Sequence, residues 1–318
     1  MLSRRHIRVK VMQLLFAHHD DPLRAVPGTQ EAEHRVDRTM DAVYSLYLYL
    51  LDYARQLIQF ARQFDEEQAG RYIQDQDRMR AHAKLYENPL FGRLEESQQL
   101  ERALERYQAR FRGDRDLLRK IFQDLRQDEE YLAYHRLEDD TRLLHMDMIY
   151  YLINHYSRDY ELLTQHLEEV FPNWWDDYRL VMKMIRKTLR GLVYEEAPRA
   201  HILEPMASEP EAIREFGARL LRKTIQHQQE LDQLVRSKLT HTDADAIPRV
   251  DHILMRMGVC EFLHFPTIPT TATINEYVDI AKLYSIPSSK KMINAVLQSV
   301  LNALQQQDRV HKSDRSNS

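Results

Sequence analysis

Arg4, Arg5, Arg8 and Lys10 put four cations into the first ten residues, and no acidic residue precedes Asp20. A second pair, Lys290 and Lys291, directly follows Ser288 and Ser289 at the head of a strongly periodic apolar stretch. Both groups fall where a helix should begin. There the backbone N–H groups and the macrodipole already present positive charge, so each exposed cation is unfavourable by about 0.3–1 kcal/mol. A phosphate turns the same arrangement into an anion site, which makes a nucleic-acid backbone the natural ligand. Solvated cations that tolerate the small penalty satisfy the pattern too, and charge placement alone leaves both readings open.

Other candidate chemistry is thin. His18, His19, Asp20 and Asp21 form a run of potential ligands, but neighbours on a helix point to different sides and cannot all converge on one ion. His241, Asp243 and Asp245 alternate in a loop, where a solvated, capping-rich turn before Pro248 accounts for them better than a cation does. The sequence has no Gly-rich phosphate loop, His-Glu-x-x-His pair or Gly-x-Ser-x-Gly elbow. Its single cysteine, Cys260, allows neither an internal disulfide nor a thiolate zinc cage, and its apolar surroundings suit a buried structural thiol. No catalytic residue, metal or cofactor is expected, and the chain reads as a binding protein.

The elements that must position those cations are helices. Only 7 Gly occur in 318 residues, and they never cluster, which disfavours strand-rich folds with their turn glycines. Fold class is therefore all-α, with negligible strand. A net charge of −4 confines any RNA site to a local patch on a mildly acidic body. Cations interrupt the only N-terminal run that could be a signal peptide, and no membrane-length apolar span exists, so a cytoplasmic location is expected.

Ser3 can cap a first helix whose apolar face is Ile7, Val11, Leu14, Leu15 and His18. The pattern breaks from Pro22 to Thr29, resumes as a long helix from about Val36 to Phe64, and turns polar and looser from Arg71 to Gly92. Three or four amphipathic stretches then run to Leu192, with breaks at Gly113, at Asp139-Asp140 and at Phe171-Pro172-Asn173. The aromatics among them (Tyr150, Tyr151, Tyr156, Tyr160, Trp174, Trp175) suit packing better than base stacking. Pro198, Pro205 and Pro210 mark a boundary. Beyond it the spacing predicts helices from Glu211 to Leu239, Pro248 to His264, Ile274 to Tyr284, and one from Ser288 or Ser289 whose face runs from Met292 to Leu304. The tail from Asp308 is expected to fray.

Several of these segments resemble the NusB family. Arg4-Arg5-x-x-Arg8 followed by Gln13-x-Leu15-Phe16 is similar to its arginine-rich first helix ending in Gln-x-Leu-Tyr. Val250-Asp251-His252-Ile253-Leu254-Met255-Arg256-Met257, continued by Glu261-Phe262-Leu263, resembles its core helix. Pro269 with Ile274-Asn275-Glu276-Tyr277-Val278-Asp279-Ile280-Ala281-Lys282, and Ile293-Asn294-Ala295-Val296-Leu297, resemble its two C-terminal signatures. Thr273-x-x-Glu276 has capping-box spacing, Ile274, Val278 and Ala281 share a face, and Gly258 in mid-helix points to a close helix contact. The resemblance covers about the first twenty residues and Glu211 to about Leu304.

The resemblance implies a NusB-like helical bundle made by a first helix (residues 1–21) and residues 211–307, interrupted by a helical insertion at 22–210 and followed by a tail at 308–318. It also implies a transcription antitermination factor. Such a factor pairs with NusE, the small-subunit ribosomal protein that also serves transcription, binds boxA-type RNA of ribosomal-RNA leaders, and loads onto RNA polymerase. By motif position Arg4, Arg5 and Arg8 contact RNA with Lys290 and Lys291 nearby, while Phe16 and Asp251 face NusE. Reversing Asp251 to Lys should then weaken the partner complex and leave the fold intact. Met292 replaces an aromatic of the family pattern, Ala295 a glycine and Ser288 an acidic residue, which alters the detail of RNA contact. Two other readings remain: a helical protein–protein adaptor without RNA binding, and a module like the front domain of RNA cytosine methyltransferases.

Overall fold

The computed structural model describes residues 1–19, 28–69, 80–138, 140–194, 201–239 and 247–312. Among the described residues it contains fifteen α-helices and no strand, with one isolated parallel bridge between Leu2 and Ala207. The chain forms two compact units, one of Met1 with residues 40–206 and the other of residues 2–39 with 207–318. The first helix, α1 (Arg4–His19), opens the second of these. Helix α2 (Thr29–Ala69) starts eleven residues before the division, so its beginning belongs with the terminal segments and its remainder with residues 40–206. The disfavoured ligand candidates Asp20-Asp21 and His241 to Asp245 lie outside the described residues, as does most of the break from Pro22.

In the unit of residues 40–206, α2 is the central element. Tyr47, Leu48, Tyr49, Leu50 and Leu51 are all fully buried, and a helix buried on successive positions must be surrounded on every side. The rest of this unit is α3 (Ala83–Tyr86), α4 (Pro89–Glu95), α5 (Gln98–Arg106), α6 (Arg115–Leu125), α7 (Glu129–Arg136), α8 (Arg142–Asp159), α9 (Glu161–Val170) and α10 (Trp174–Tyr194). These are more and shorter helices than the apolar pattern predicts. Local capping divides them: Asn88, Ser97, Asp114, Asp128 and Thr141 each accept a hydrogen bond from an N–H of the following first turn. Helices α3 and α4 also occupy part of the stretch whose polarity predicts a looser chain.

The other unit continues with α11 (Pro210–Gln226), α12 (Gln228–Arg236), α13 (Arg249–His264), α14 (Thr270–Tyr284) and α15 (Ser289–Gln306). The single helix predicted from Glu211 to Leu239 is two helices broken at His227. Helix α13 is the hub, packed against α1, α11, α12, α14 and α15. Gly258 lets α15 approach it, since a Cβ there would lie 2.8 Å from Leu297 Cδ2. Helix α14 begins at Thr270, so Thr273 lies inside the first turn and does not form the capping box its spacing predicts. The first residues of the tail are also anchored. Arg309 pairs with Glu230, and Lys312 Nζ donates to the carbonyls of Glu261 and Phe265 at 2.8 and 2.9 Å, satisfying the C-terminal end of α13.

Candidate nucleic-acid interface

Helix α1 sends its three arginines into three environments. Arg4 is exposed, with its guanidinium 5.6 Å from the Phe216 ring centroid. Arg5 keeps 47% of its side chain in solvent while donating to both oxygens of Glu276 at 2.9 Å and to Asp279 at 3.0 Å. The Glu276 carboxylate raises the Arg5 pKa. Arg8 is only 4% exposed and makes a two-pronged bond to Glu261 at 2.7 and 2.9 Å. Glu261, at 0% exposure, also accepts from Thr273 Oγ1 at 3.0 Å and Tyr277 Oη at 2.7 Å.

Burial opposes the charge on Arg8, but the Glu261 hydrogen bonds and charge outweigh it and raise the Arg8 pKa. The same burial, reinforced by Glu261, drives the Tyr277 phenol well above its usual range. This places Arg8 in the core. The motif position that predicts an RNA contact for it is corrected by the environment, because its donors are consumed inside the protein. Glu261 is the residue that motif reading passed over as part of an apolar helix. An acid set between Cys260 and Phe262 was the signal that a buried partner had to exist.

At the other candidate end, Lys290 and Lys291 are both exposed in the first turn of α15. No acidic residue lies in that turn, and Ser288, at the N-cap position, makes no side-chain capping bond. Ser289 points inward and donates to Asp251, which is itself 0% exposed. Asp251 therefore does not face a partner. It holds the first residue of α15, and a lysine there would bury an ammonium, so Asp251→Lys does not spare the fold as the motif position predicts. Phe16 does face outward, at 40% exposure, with the Arg249 guanidinium 4.2 Å from its ring centroid and Arg249 Nη2 donating to its carbonyl at 2.7 Å. The two cationic ends share one unit. Arg5 ties α1 to α14 through Glu276 and Asp279, and α14 packs along α15.

The profile of the NusB family matches residues 178–302. The "Transcription antitermination protein NusB" of Salinibacter ruber is 31% identical over 121 residues, spanning 38% of this chain and 75% of the relative. The same-named protein of Carboxydothermus hydrogenoformans is 30% identical over 119 residues, spanning 35% and 83%. That of Chloroherpeton thalassium is 28% identical over 102 residues, and there the chain covers about half, 48%, of the relative's length. The chain belongs to the NusB family. No solved structure matches it.

The NusB match begins at residue 178, inside α10, and so reaches upstream of Glu211, where the resemblance read from the sequence resumes. It does not include α1, whose place in the NusB-like bundle rests on packing: α1 lies against α11 and α13. Gly217 of α11 makes that packing close, since a Cβ there would lie 2.6 Å from Ile7 Cγ2. Among the described residues no helix is long and apolar enough to cross a membrane, and no cluster of His, Cys, Asp or Glu has metal-site geometry. Cys260 is fully buried, which pushes its thiol up to about 12.

Proposed function

We propose that this chain acts in transcription antitermination by binding boxA-type single-stranded RNA of ribosomal-RNA leaders together with NusE, and that the pair joins the RNA polymerase elongation complex. The observation that carries the RNA reading is the head of α15, where exposed Lys290 and Lys291 stand at a helix start with neither an acidic neighbour nor a side-chain cap. Arg4 supplies a second cation, with Arg5 beside it keeping 47% of its side chain in solvent although paired with Glu276 and Asp279, whereas Arg8 serves to hold α1 on the bundle. Phe16, backed by Arg249, is the candidate NusE contact, since aromatic and arginine side chains dominate binding hot spots. The role is binding, not catalysis, in keeping with the names of the NusB relatives.

The test is titration of boxA-like and scrambled RNA, in the presence of NusE, across several salt concentrations. Each phosphate contact removed from Arg4, Arg5, Lys290 or Lys291 by alanine should lower the magnitude of the log K against log salt slope by about 0.7. Alanine at Lys290 or Lys291 should leave thermal stability level or slightly raised, because a cation leaves the positive end of a helix dipole. Wild-type affinity and slope for all four variants would leave the adaptor reading in place of RNA binding.

A further inference from the structure

Within the unit of residues 40–206 a groove of about 550 Å³ opens between α5, α2 and the segment 201–206. One face of α5 forms its wall, with Gln99, Arg102 and Arg106 spaced three and four residues apart. Tyr107, next in the chain, and Tyr44 of α2 supply aromatic surface, their rings edge to face at 5.0 Å. His201 closes the opposite side. The walls are pinned together: Gln99 Oε1 accepts from the N–H groups of Ile202 at 2.7 Å and Leu203 at 3.0 Å, and Tyr44 Oη donates to the Glu204 carbonyl at 3.2 Å.

The charged side chains that line this groove are basic, while Glu204, paired with Lys187, and Asp41 stand close enough to act on Tyr44 and Tyr107. No Asp or Glu lines it. Arg110, just past α5, is taken by Glu101 at 2.6 Å and Glu105 at 3.6 Å, but Arg102 and Arg106 are exposed and meet no carboxylate among the described residues. The Arg106 guanidinium stands 5.3 Å from the Tyr107 ring centroid. Two guanidiniums without an ion-pair partner beside a half-buried aromatic ring match a ligand that carries phosphate and a planar base together. An acidic peptide would satisfy the arginines and leave the ring face unused.

We propose that this groove is a second RNA site, in which Arg102 and Arg106 hold phosphates of a single strand while Tyr107 offers a base its ring. The choice of RNA as ligand rests on the function proposed above, yet the site shares no residue with α1 or α15. The inserted helices would then extend the RNA footprint of the chain.

The test uses the full chain, NusE and an oligouridylate carrying 4-thiouridine, crosslinked by light and mapped by peptide mass spectrometry. Crosslinks are expected within residues 99–107 or 201–206. They should be lost in the Arg102→Ala/Arg106→Ala double variant, whose salt slope should fall by about 1.4, twice the single-contact value. Tyr107→Leu should weaken binding about tenfold, and Tyr107→Phe should restore it. Because both arginines are exposed, the double variant should keep the wild-type circular dichroism spectrum and melting temperature. Absence of crosslinks in both segments, with a wild-type slope in the double variant, overturns the groove assignment; a reduced slope in Lys290→Ala/Lys291→Ala then still upholds the function proposed for α15. Groove crosslinks that persist while the α15 variants bind normally would uphold the groove and sink the α15 interface. Binding of polyglutamate that depends on Arg102 and Arg106, with no RNA crosslink, would make the groove a protein site and overturn the proposal.

Discussion

Arg4 and Arg8 lie one helical turn apart on α1 and differ completely in what can be done with their charge. Arg4 meets solvent and the edge of the bundle, while Arg8 and Glu261 form a buried ion pair whose remaining acceptor capacity is filled by Thr273 and Tyr277. Removing one member of such a pair strands the other without solvent, at a cost of about 3–5 kcal/mol. Arg8→Ala should therefore lower unfolding stability in urea by that amount, whereas Arg4→Ala should stay within about 0.5 kcal/mol of wild type. Equal stabilities for the two variants would show that Glu261 does not depend on Arg8. The pairing also explains why an arginine motif by itself misassigns roles: the residue type serves phosphate and buried carboxylate equally well.

At the scale of elements, the orientation of α15 decides where Lys290 and Lys291 point, and Asp251 controls its start. The carboxylate accepts from Ser289 inside the bundle, and its other oxygen, Oδ1, meets no hydrogen-bond donor among the described residues. Asp251→Ala should loosen the first turn of α15 without unfolding the unit. Hydrogen exchange should quicken at residues 289–293 and stay at the wild-type rate in the middle of α14; unchanged protection at 289–293 would show that other contacts hold this turn. Asp251→Lys, by contrast, should lower the melting temperature outright, because the buried ammonium has no carboxylate to meet. Any loss of NusE binding by that variant would then report on folding, and Phe16→Ala is the cleaner probe of the partner surface.

At the scale of the whole molecule, buried and half-buried histidines couple stability to pH in both units. His82 is held at about 4 by burial, then by the charges of His135 and Arg126; His135 is held at about 4 by burial and Lys84. In the other unit burial, followed by His227 and Lys223, holds His264 at about 4. The ordinary value for all three is 6.5, so the unfolded chain takes up these protons first as the pH falls. Their contribution is fully present above pH 6.5 and is lost progressively down to about 4. Calorimetry should show the melting temperature falling across that window, with a shallower fall for His135→Phe. A flat profile would mean that these rings are protonated as easily folded as unfolded.

Helical periodicity and scarce glycine were sufficient for the all-α class, for the long α2 and for α13 to α15, because an apolar face at 3.6-residue spacing is a property of the local chain. Family membership was legible for a related reason, since the signatures around Ile274 and Ile293 encode contiguous faces of α14 and α15. The short helices between α2 and α10 were less legible, because their limits depend on single capping side chains at Asn88, Ser97, Asp114, Asp128 and Thr141 rather than on periodicity. Tertiary structure alone decided which charges face water. Arg8 and Glu261 are 253 positions apart, Asp251 and Ser289 are 38 apart, and Gln99 reaches Ile202 across 103. No local pattern carries those pairings, and burial, which exists only once the chain has folded, determines whether a cation is a strut or a hand held out to phosphate.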